Sequence, residues 1–220
     1  MKQTIAIIGA SGTMGSGLAH NLAKAGHRIL LAGRTRAKLD ELLSTIKQAE
    51  PNADVEILDC SHEASWEADV VIPAVPYAAQ AEIAAKIKDV VTGKIVVSIV
   101  NPLNPTYDGL VTEPTTSGAE ELATLLPHSK VVKAFNTVFA ADFHSPSIGG
   151  KTVDCFVAGD DQGAVTTVAQ LVEDAGLNPL VAGKLSMSRT LESMMVLLIG
   201  LTLKNNYHWH AGWKVLHQAA

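Results

Sequence analysis

Short apolar runs alternate along this chain with stretches whose apolar residues recur at helical spacing. The first run, TIAIIGA (4–10), is isoleucine-rich and reaches a glycine at Gly9, which predicts a strand buried on both faces. GSGLAHNLAKAG (15–26) follows with helical periodicity until Gly26 stops it. HRILLAG (27–33) reads as the second strand, and residues 36–49 as a helix closed by Pro51. Further strands are expected at VEILD (55–59), ADVVIPAV (68–75), GKIVVSIV (93–100) and KVVKAFN (130–136), with helices at AQAEIAAKIKDVV (79–91) and GAEELATLL (118–126). VDCFVAG (153–159), the helix GAVTTVAQLVEDAG (163–176) and NPLVAG (178–183) continue the alternation, and an amphipathic helix closes it over about 185–204. Strands alternating with helices in this way predict an α/β fold: a doubly wound, mostly parallel sheet with helices on both sides and a small C-terminal helical part. One long irregular stretch, the proline-rich 101–117, interrupts the pattern.

The first connection carries chemistry. GASGTMG places Gly9, Gly12 and Gly15 between the first strand and the first helix, where small residues let the backbone approach a pyrophosphate seated on the helix N-terminus. Ser11 and Thr13 add hydroxyls beside those amides. About 20 residues further on, the second strand of such a fold meets the adenosine ribose, and a carboxylate there selects the 2′-hydroxyl of NAD. Here that strand ends in Gly33, which leaves room, followed by Arg34, Thr35, Arg36 and Lys38. Guanidinium groups match phosphate oxygens with paired hydrogen bonds, so the cluster predicts NADP(H) rather than NAD(H). Basic residues at a helix N-terminus also oppose the helix dipole, which disfavours reading them as an ordinary solvated turn.

Composition sharpens this reading. The formal charge is −5, against a general nucleic-acid binder, so the positive cluster is local on an acidic protein. With 47% hydrophobic and 18% charged residues, the 220-residue chain can bury a sizeable core. Two isolated cysteines, Cys60 and Cys155, fit a reducing compartment. A strand that begins almost at once leaves no room for a signal peptide, and MMVLLIGLTL is about half the length of a membrane helix, so a soluble cytoplasmic protein without membrane contact is expected. His208, His210 and His217 in the tail lack a cysteine or carboxylate partner at a zinc spacing, and no metal is expected.

The motifs IAIIGASGTMG, GRTRAKL, VVKAFNT, AGDD and LVAGKLSMSRTLESM occur in that order. Together they resemble the NADP-dependent oxidoreductases similar to coenzyme F-420:NADP reductase, over nearly the whole chain. The resemblance implies a Rossmann domain, which we place at 1–140. It also implies a small C-terminal subdomain packed on it over 141–220, bearing the acceptor site and a homodimer contact. The implied activity is hydride transfer between NADP(H) and a small-molecule acceptor, a deazaflavin (coenzyme F-420) or a flavin-like ring. By position, the pyrophosphate contacts fall on Ser11, Gly12, Thr13 and Met14, and the 2′-phosphate contacts on Gly33, Arg34 and Lys38 with Thr35 adjacent. Tyr77 and Ala81 fall on the path from adenosine to nicotinamide, and Leu103 and Ala140 border the nicotinamide side. At Asn136 the chain departs from the deazaflavin enzymes, in which a histidine stands at that place.

The sequence shows no nucleophile–base arrangement, and no catalytic residue is assigned. Asp160-Asp161 reads as a turn or helix start. Hydride transfer tolerates this, because the cofactor carries the reactivity and the protein aligns two rings and excludes water. Asn136 and Thr137, at a strand end expected to face the cleft, are candidates to hydrogen-bond the ring or carboxamide, or simply to cap the strand. Trp209 and Trp213 are candidates to close the ring pocket or to form a subunit contact. Two other functions remain open on residues alone: an NADPH-dependent flavin or ferric reductase, and a non-catalytic NADP(H)-binding redox sensor.

Overall fold

The computed structural model describes residues 2–218. Six strands alternate with five helices in its first part. The strands are β1 (Thr4–Ile8), β2 (Arg28–Ala32), β3 (Val55–Ile57), β4 (Val70–Pro73), β5 (Ile95–Ser98) and β6 (Lys130–Lys133). The helices are α1 (Thr13–Lys24), α2 (Arg36–Ala49), α3 (Ser61–Glu67), α4 (Gln80–Ile87) and α5 (Gly118–Leu125). A two-residue hairpin of β7 (Ser147–Ile148) and β8 (Lys151–Thr152) precedes β9 (Asp154–Gly159), α6 (Gln162–Asp174), β10 (Asn178–Gly183) and α7 (Ser188–Asn205). Eight strands form one sheet in the order β10-β9-β6-β5-β4-β1-β2-β3. Every pairing in it is parallel except β6 with β9. The winding reverses at β1, which pairs with β2 on one side and β4 on the other, so a crevice opens at the carboxyl ends of these strands.

The period-two alternation of the strands builds two cores. Ile5, Ile7, Ile29, Leu31, Val70 and Ile72 face Leu18 and Leu22 of α1, Leu39 and Ile46 of α2, and Val168 and Leu171 of α6. Ala6, Ile8, Leu30, Ala32, Val71 and Val96 face the other way, toward Ala64 of α3, Ala84 and Ile87 of α4, and Ala119 and Leu122 of α5. This is the doubly wound arrangement that the sequence pattern predicts. Two details differ. The sequence gives no warning of α3, whose seven residues bury only Ala64 and Ser65, too few for a periodicity to register. The last element begins with a separate 3₁₀ turn, Leu185–Met187, before α7 proper.

At the end of β6 the apolar rule is broken. Lys133 and Glu192 of α7 are both fully buried, with Nζ 2.6 Å from Oε1. The ammonium also donates to Val100 O at 2.5 Å. The Glu192 carboxylate in turn accepts the N–H groups of Gly118 (3.0 Å) and Ala119 (3.3 Å), two otherwise unpaired donors in the first turn of α5. Burial pushes the Lys133 ammonium below its ordinary range, and the carboxylate opposes that shift. Beyond α7 the chain returns to the start of β9. Asp154 N–H donates to Trp213 O (2.9 Å), and the Asp154 carboxylate accepts from Lys214 Nζ and Val215 N–H at 2.6 Å each.

Lys133→Met leaves the Glu192 carboxylate buried without its cation. It is expected to destabilise the protein by about 3–5 kcal/mol, the cost of breaking a buried pair from one side. Urea denaturation measures this, and a loss under about 1 kcal/mol would show that the pair is not intact in solution.

Candidate functional site

The crevice begins in the turn from β1 to α1. Gly9 has φ +85°, and a Cβ there would lie 2.4 Å from Ala74 O, so only glycine fits. A Cβ on Gly15 would lie 2.6 Å from Gly9 O, which fixes the close packing of α1 on the strand end. Gly9 and Ala10 both donate to Ala32 O, at 2.7 and 3.1 Å, and so tie the turn to the end of β2. Gly12 is the N-cap of α1, exposed and extended, and offers no side chain to the helix. α1 also has no acidic residue in its first turn. Its first N–H groups, those of Thr13 and Met14 among them, therefore have no side-chain acceptor and suit an anion.

A second helix N-terminus of the same kind stands beside the first. α2 starts after Thr35, whose side chain makes no capping bond, and again no acid occupies the first turn. Gly33 adjoins Ser11: a Cβ built on it would lie 3.7 Å from the Ser11 hydroxyl. Arg34 and Lys38 are exposed, and among the described residues neither forms an ion pair. Arg36 behaves differently. Its Nε lies 3.0 Å from Asp40 Oδ1 and its Nη1 2.8 Å from Asp59 Oδ1. Two of the three cations that crowd the sequence here are thus free for a phosphate, and the third is held by carboxylates.

The remaining sequence candidates gather along the same carboxyl edge. Tyr77 lies on a 3₁₀ turn after β4, half-buried, with its hydroxyl donating to Glu121 Oε2 at 2.5 Å. Burial, then the neighbouring Glu121, pushes that phenol up to about 12. Ala81 is exposed on the first turn of α4. Leu103 pairs with Leu110 across the 101–117 loop and packs on a cluster of Phe139, Met195, Leu198 and Ile199. Ala140, itself half-buried, opens a 3₁₀ turn ending at the buried Phe143. Asn136 and Thr137, read from the sequence as facing the cleft, are instead buried. Asn136 Nδ2 donates to Asn101 Oδ1 (2.9 Å) and Leu191 O (3.0 Å), while Asn101 Nδ2 donates to Asn136 O (2.9 Å). The acceptor Oδ1 of Asn136 and the hydroxyl of Thr137 lack a protein partner. Asn136 thereby joins the ends of β5 and β6 to α7.

Sequence reasoning missed a polar feature next to this edge. Asp142 is fully buried in the 3₁₀ turn, accepts from Phe139 N–H at 3.3 Å, and lies 3.5 Å from His210 Nδ1 in the tail. Burial pushes its carboxyl up to about 6. Trp209 meets Phe139 edge-on at 5.4 Å, and Trp213 packs on the Phe139 cluster. These partners lie some 70 residues apart along the chain, so no local pattern announces them. Among the described residues no group of three His, Cys, Asp or Glu side chains is arranged to hold a metal. Asp161 is the N-cap of α6, accepting from Ala164 N–H at 2.8 Å, as the helix-start reading of AGDD has it.

Comparison with known proteins bears on this site. Residues 4–102, which contain the β1–α1 turn and the β2 end, match the family model described as NADP oxidoreductase coenzyme F420-dependent. The chain is similar to the F420-dependent NADP reductase of Methanocaldococcus jannaschii, 36% identical over 216 residues covering 91% of this chain and 92% of the relative. It is 30% identical to the F420-dependent NADP reductase of Methanothermobacter thermautotrophicus, covering 93% of this chain and 91% of that protein. Its fold matches a crystal structure of a putative F420-dependent NADP reductase from Arthrobacter sp. FB24, with a TM-score of 0.77, 27% identity, and 93% and 95% of the two chains covered.

The N-cap glycine and the first-turn glycine of α1 predict different failures. At Gly12 a side chain projects from an exposed cap, with its Cβ 3.3 Å from Gly9 O, so Gly12→Val is expected to fold and to lose dinucleotide binding. At Gly15 the Cβ meets backbone at 2.6 Å, so Gly15→Val is expected to lower the melting temperature itself. Retained NADPH binding by a folded Gly12→Val protein, followed by calorimetry, would place the ligand elsewhere.

Proposed function

The chain belongs to the coenzyme F420-dependent NADP oxidoreductases, and we propose that it transfers a hydride between NADP(H) and coenzyme F420 across the carboxyl edge of its sheet. The observation that carries the NADP(H) half is the pairing of two helix N-termini, both without side-chain caps or first-turn acids, with the unpaired cations Arg34 and Lys38. In this reading Ser11, Gly12, Thr13 and Met14 hold the pyrophosphate, and Gly33, Arg34, Thr35 and Lys38 hold the 2′-phosphate. No carboxylate stands at the end of β2 to repel that phosphate.

When bound, the dinucleotide supplies the hydride and the deazaflavin ring receives it. The residues of the chain have the work of alignment and exclusion of water. Tyr77 and Ala81 line the way from the adenosine end toward the nicotinamide end, where Leu103, Asn136 and Ala140 lie. The Asn136–Asn101–Leu191 bonds fix the ends of β5 and β6 against α7, so Asn136 serves the nicotinamide end by holding its walls in place. Phe139, Met195, Leu198 and Trp213 form an apolar wall beside this end, suited to a planar ring and hostile to water. The C-terminal part from about residue 141 supplies α7 and the tail to this wall. We extend the proposal to a cytoplasmic homodimer that pairs through the outer face of α7, where Leu197 and Leu201 are exposed one turn apart.

Calorimetry is expected to show tighter binding of NADPH than of NADH. Arg34→Ala should weaken NADPH by about 1.5–3 kcal/mol, the range for hydrogen bonds to charged groups, and leave NADH nearly unchanged. Equal affinities for the two coenzymes in the unaltered protein would remove the phosphate-site assignment. NADPH deuterated at the transferred C4 position is expected to deliver its label to the F420 ring. Tight NADPH binding without reduction of F420 would transfer the assignment to another acceptor, or to a redox sensor if a panel of flavins, quinones and ferric chelates is also inert.

A further inference from the structure

Arg36 is the first residue of α2, within two positions of both Arg34 and Lys38, yet its guanidinium is already bound to two carboxylates. One of its carboxylate partners, Asp40, comes from the next turn of the same helix; the other, Asp59, follows β3, the strand beside β2. We propose that Asp59 sets the margin by which this protein prefers the 2′-phosphorylated dinucleotide, by holding Arg36 off the phosphate-binding cations. The proposal rests on the reading above that the 2′-phosphate sits among Gly33, Arg34, Thr35 and Lys38.

The charge arithmetic is simple. Asp40, Asp59 and Arg36 form a triad of formal charge −1 immediately beside a site that must attract a phosphate. Arg36 masks the two carboxylates, and the carboxylates in turn consume Arg36. Neutralising Asp59 leaves Arg36 with one partner instead of two and raises the local charge by one. A 2′-phosphate carries about −1.5 to −2 at neutral pH, so it responds to that change, whereas the 2′-hydroxyl of NADH does not. Removing Arg36 instead unmasks both carboxylates next to the phosphate. The side chains are exposed, Arg36 by 57% and Asp59 by 83%, so their replacement leaves the core untouched. The same exposure makes the effect a screened, through-solvent one, sensitive to salt.

The test compares Kd values for NADPH, NADH and 2′,5′-ADP by calorimetry in the unaltered protein, Asp59→Asn, Arg36→Ala and the double variant. At low ionic strength Asp59→Asn is expected to tighten NADPH and 2′,5′-ADP by about three- to tenfold, and Arg36→Ala to weaken them by a similar factor. The double variant should fall between the two. NADH should move by less than about twofold throughout, and the changes should shrink in about 0.5 M salt. If Asp59→Asn leaves NADPH unmoved or weakens it, or if NADH tightens equally, the inference fails while the phosphate site stands. If the unaltered protein itself does not distinguish NADPH from NADH, the phosphate site fails and the inference falls with it.

Discussion

A buried ammonium–carboxylate pair fixes the geometry of the whole carboxyl edge. Lys133 lies on the last strand of the parallel series and Glu192 on the helix that closes the chain, and neither reaches water. Desolvating two charges is costly, and such a pair stands only when its remaining hydrogen-bonding capacity is met. Here Val100 O accepts a second hydrogen bond from Lys133, and the first N–H groups of α5 donate to the Glu192 oxygens. One contact therefore sets the loop after β5, the start of α5, the end of β6 and the register of α7. Three residues further along α7, Met195 is already part of the apolar wall over Phe139. Asn136 bonded to Leu191 O and Arg189 paired with Glu120 hold the same helix from either side of the pair.

The edge held in this way has two unlike ends. At β1 and β2 it is open and polar, with helix N-termini and unpaired cations on a protein of net negative charge. Such a patch attracts an anion locally while the acidic remainder discourages polyanions in general. At β5 and β6 it is apolar and closed, cross-linked internally by the hydrogen bonds of Asn136 with Asn101 and Leu191. A dinucleotide has the same asymmetry: phosphates that bind by charge at one end, and a ring that must meet another ring away from water at the other. The proposed placement rests on the match between the two asymmetries more than on any single side chain, and hydride transfer needs no nucleophile from the chain because the cofactor carries the reactivity.

The tail adds a second layer to the apolar end. It is anchored on Asp154 by Lys214 and the Val215 amide, and it brings Trp209, His210 and Trp213 against Phe139 and Asp142. Gly212 permits the approach, since a Cβ there would lie 2.7 Å from Val153 Cγ1. Burying Asp142 with a single N–H donor and a distant imidazole raises its carboxyl into the range near neutrality. The carboxylate gains less from its neighbours than it loses by leaving water.

What the sequence determined by itself are the features whose physics is local. The βα alternation, the glycine turn, the basic start of α2 and that helix from 36 to 49 all follow from residues within a turn or two of one another, as does the Asp161 cap. Backbone propensity, capping and strand periodicity act over that range and leave a readable trace. Tertiary structure alone decided the rest. Lys133 meets Glu192 across 59 positions, Arg36 meets Asp59 across 23, Asn136 meets Asn101 across 35, and Asp154 meets Lys214 across 60. It alone made β9 antiparallel to β6 and turned Asn136 inward. A lysine, an arginine or an asparagine reads the same in sequence whether its partner is water or a distant side chain. Only the folded chain settles which, because the free energy of a charge or an amide depends on what surrounds it in space.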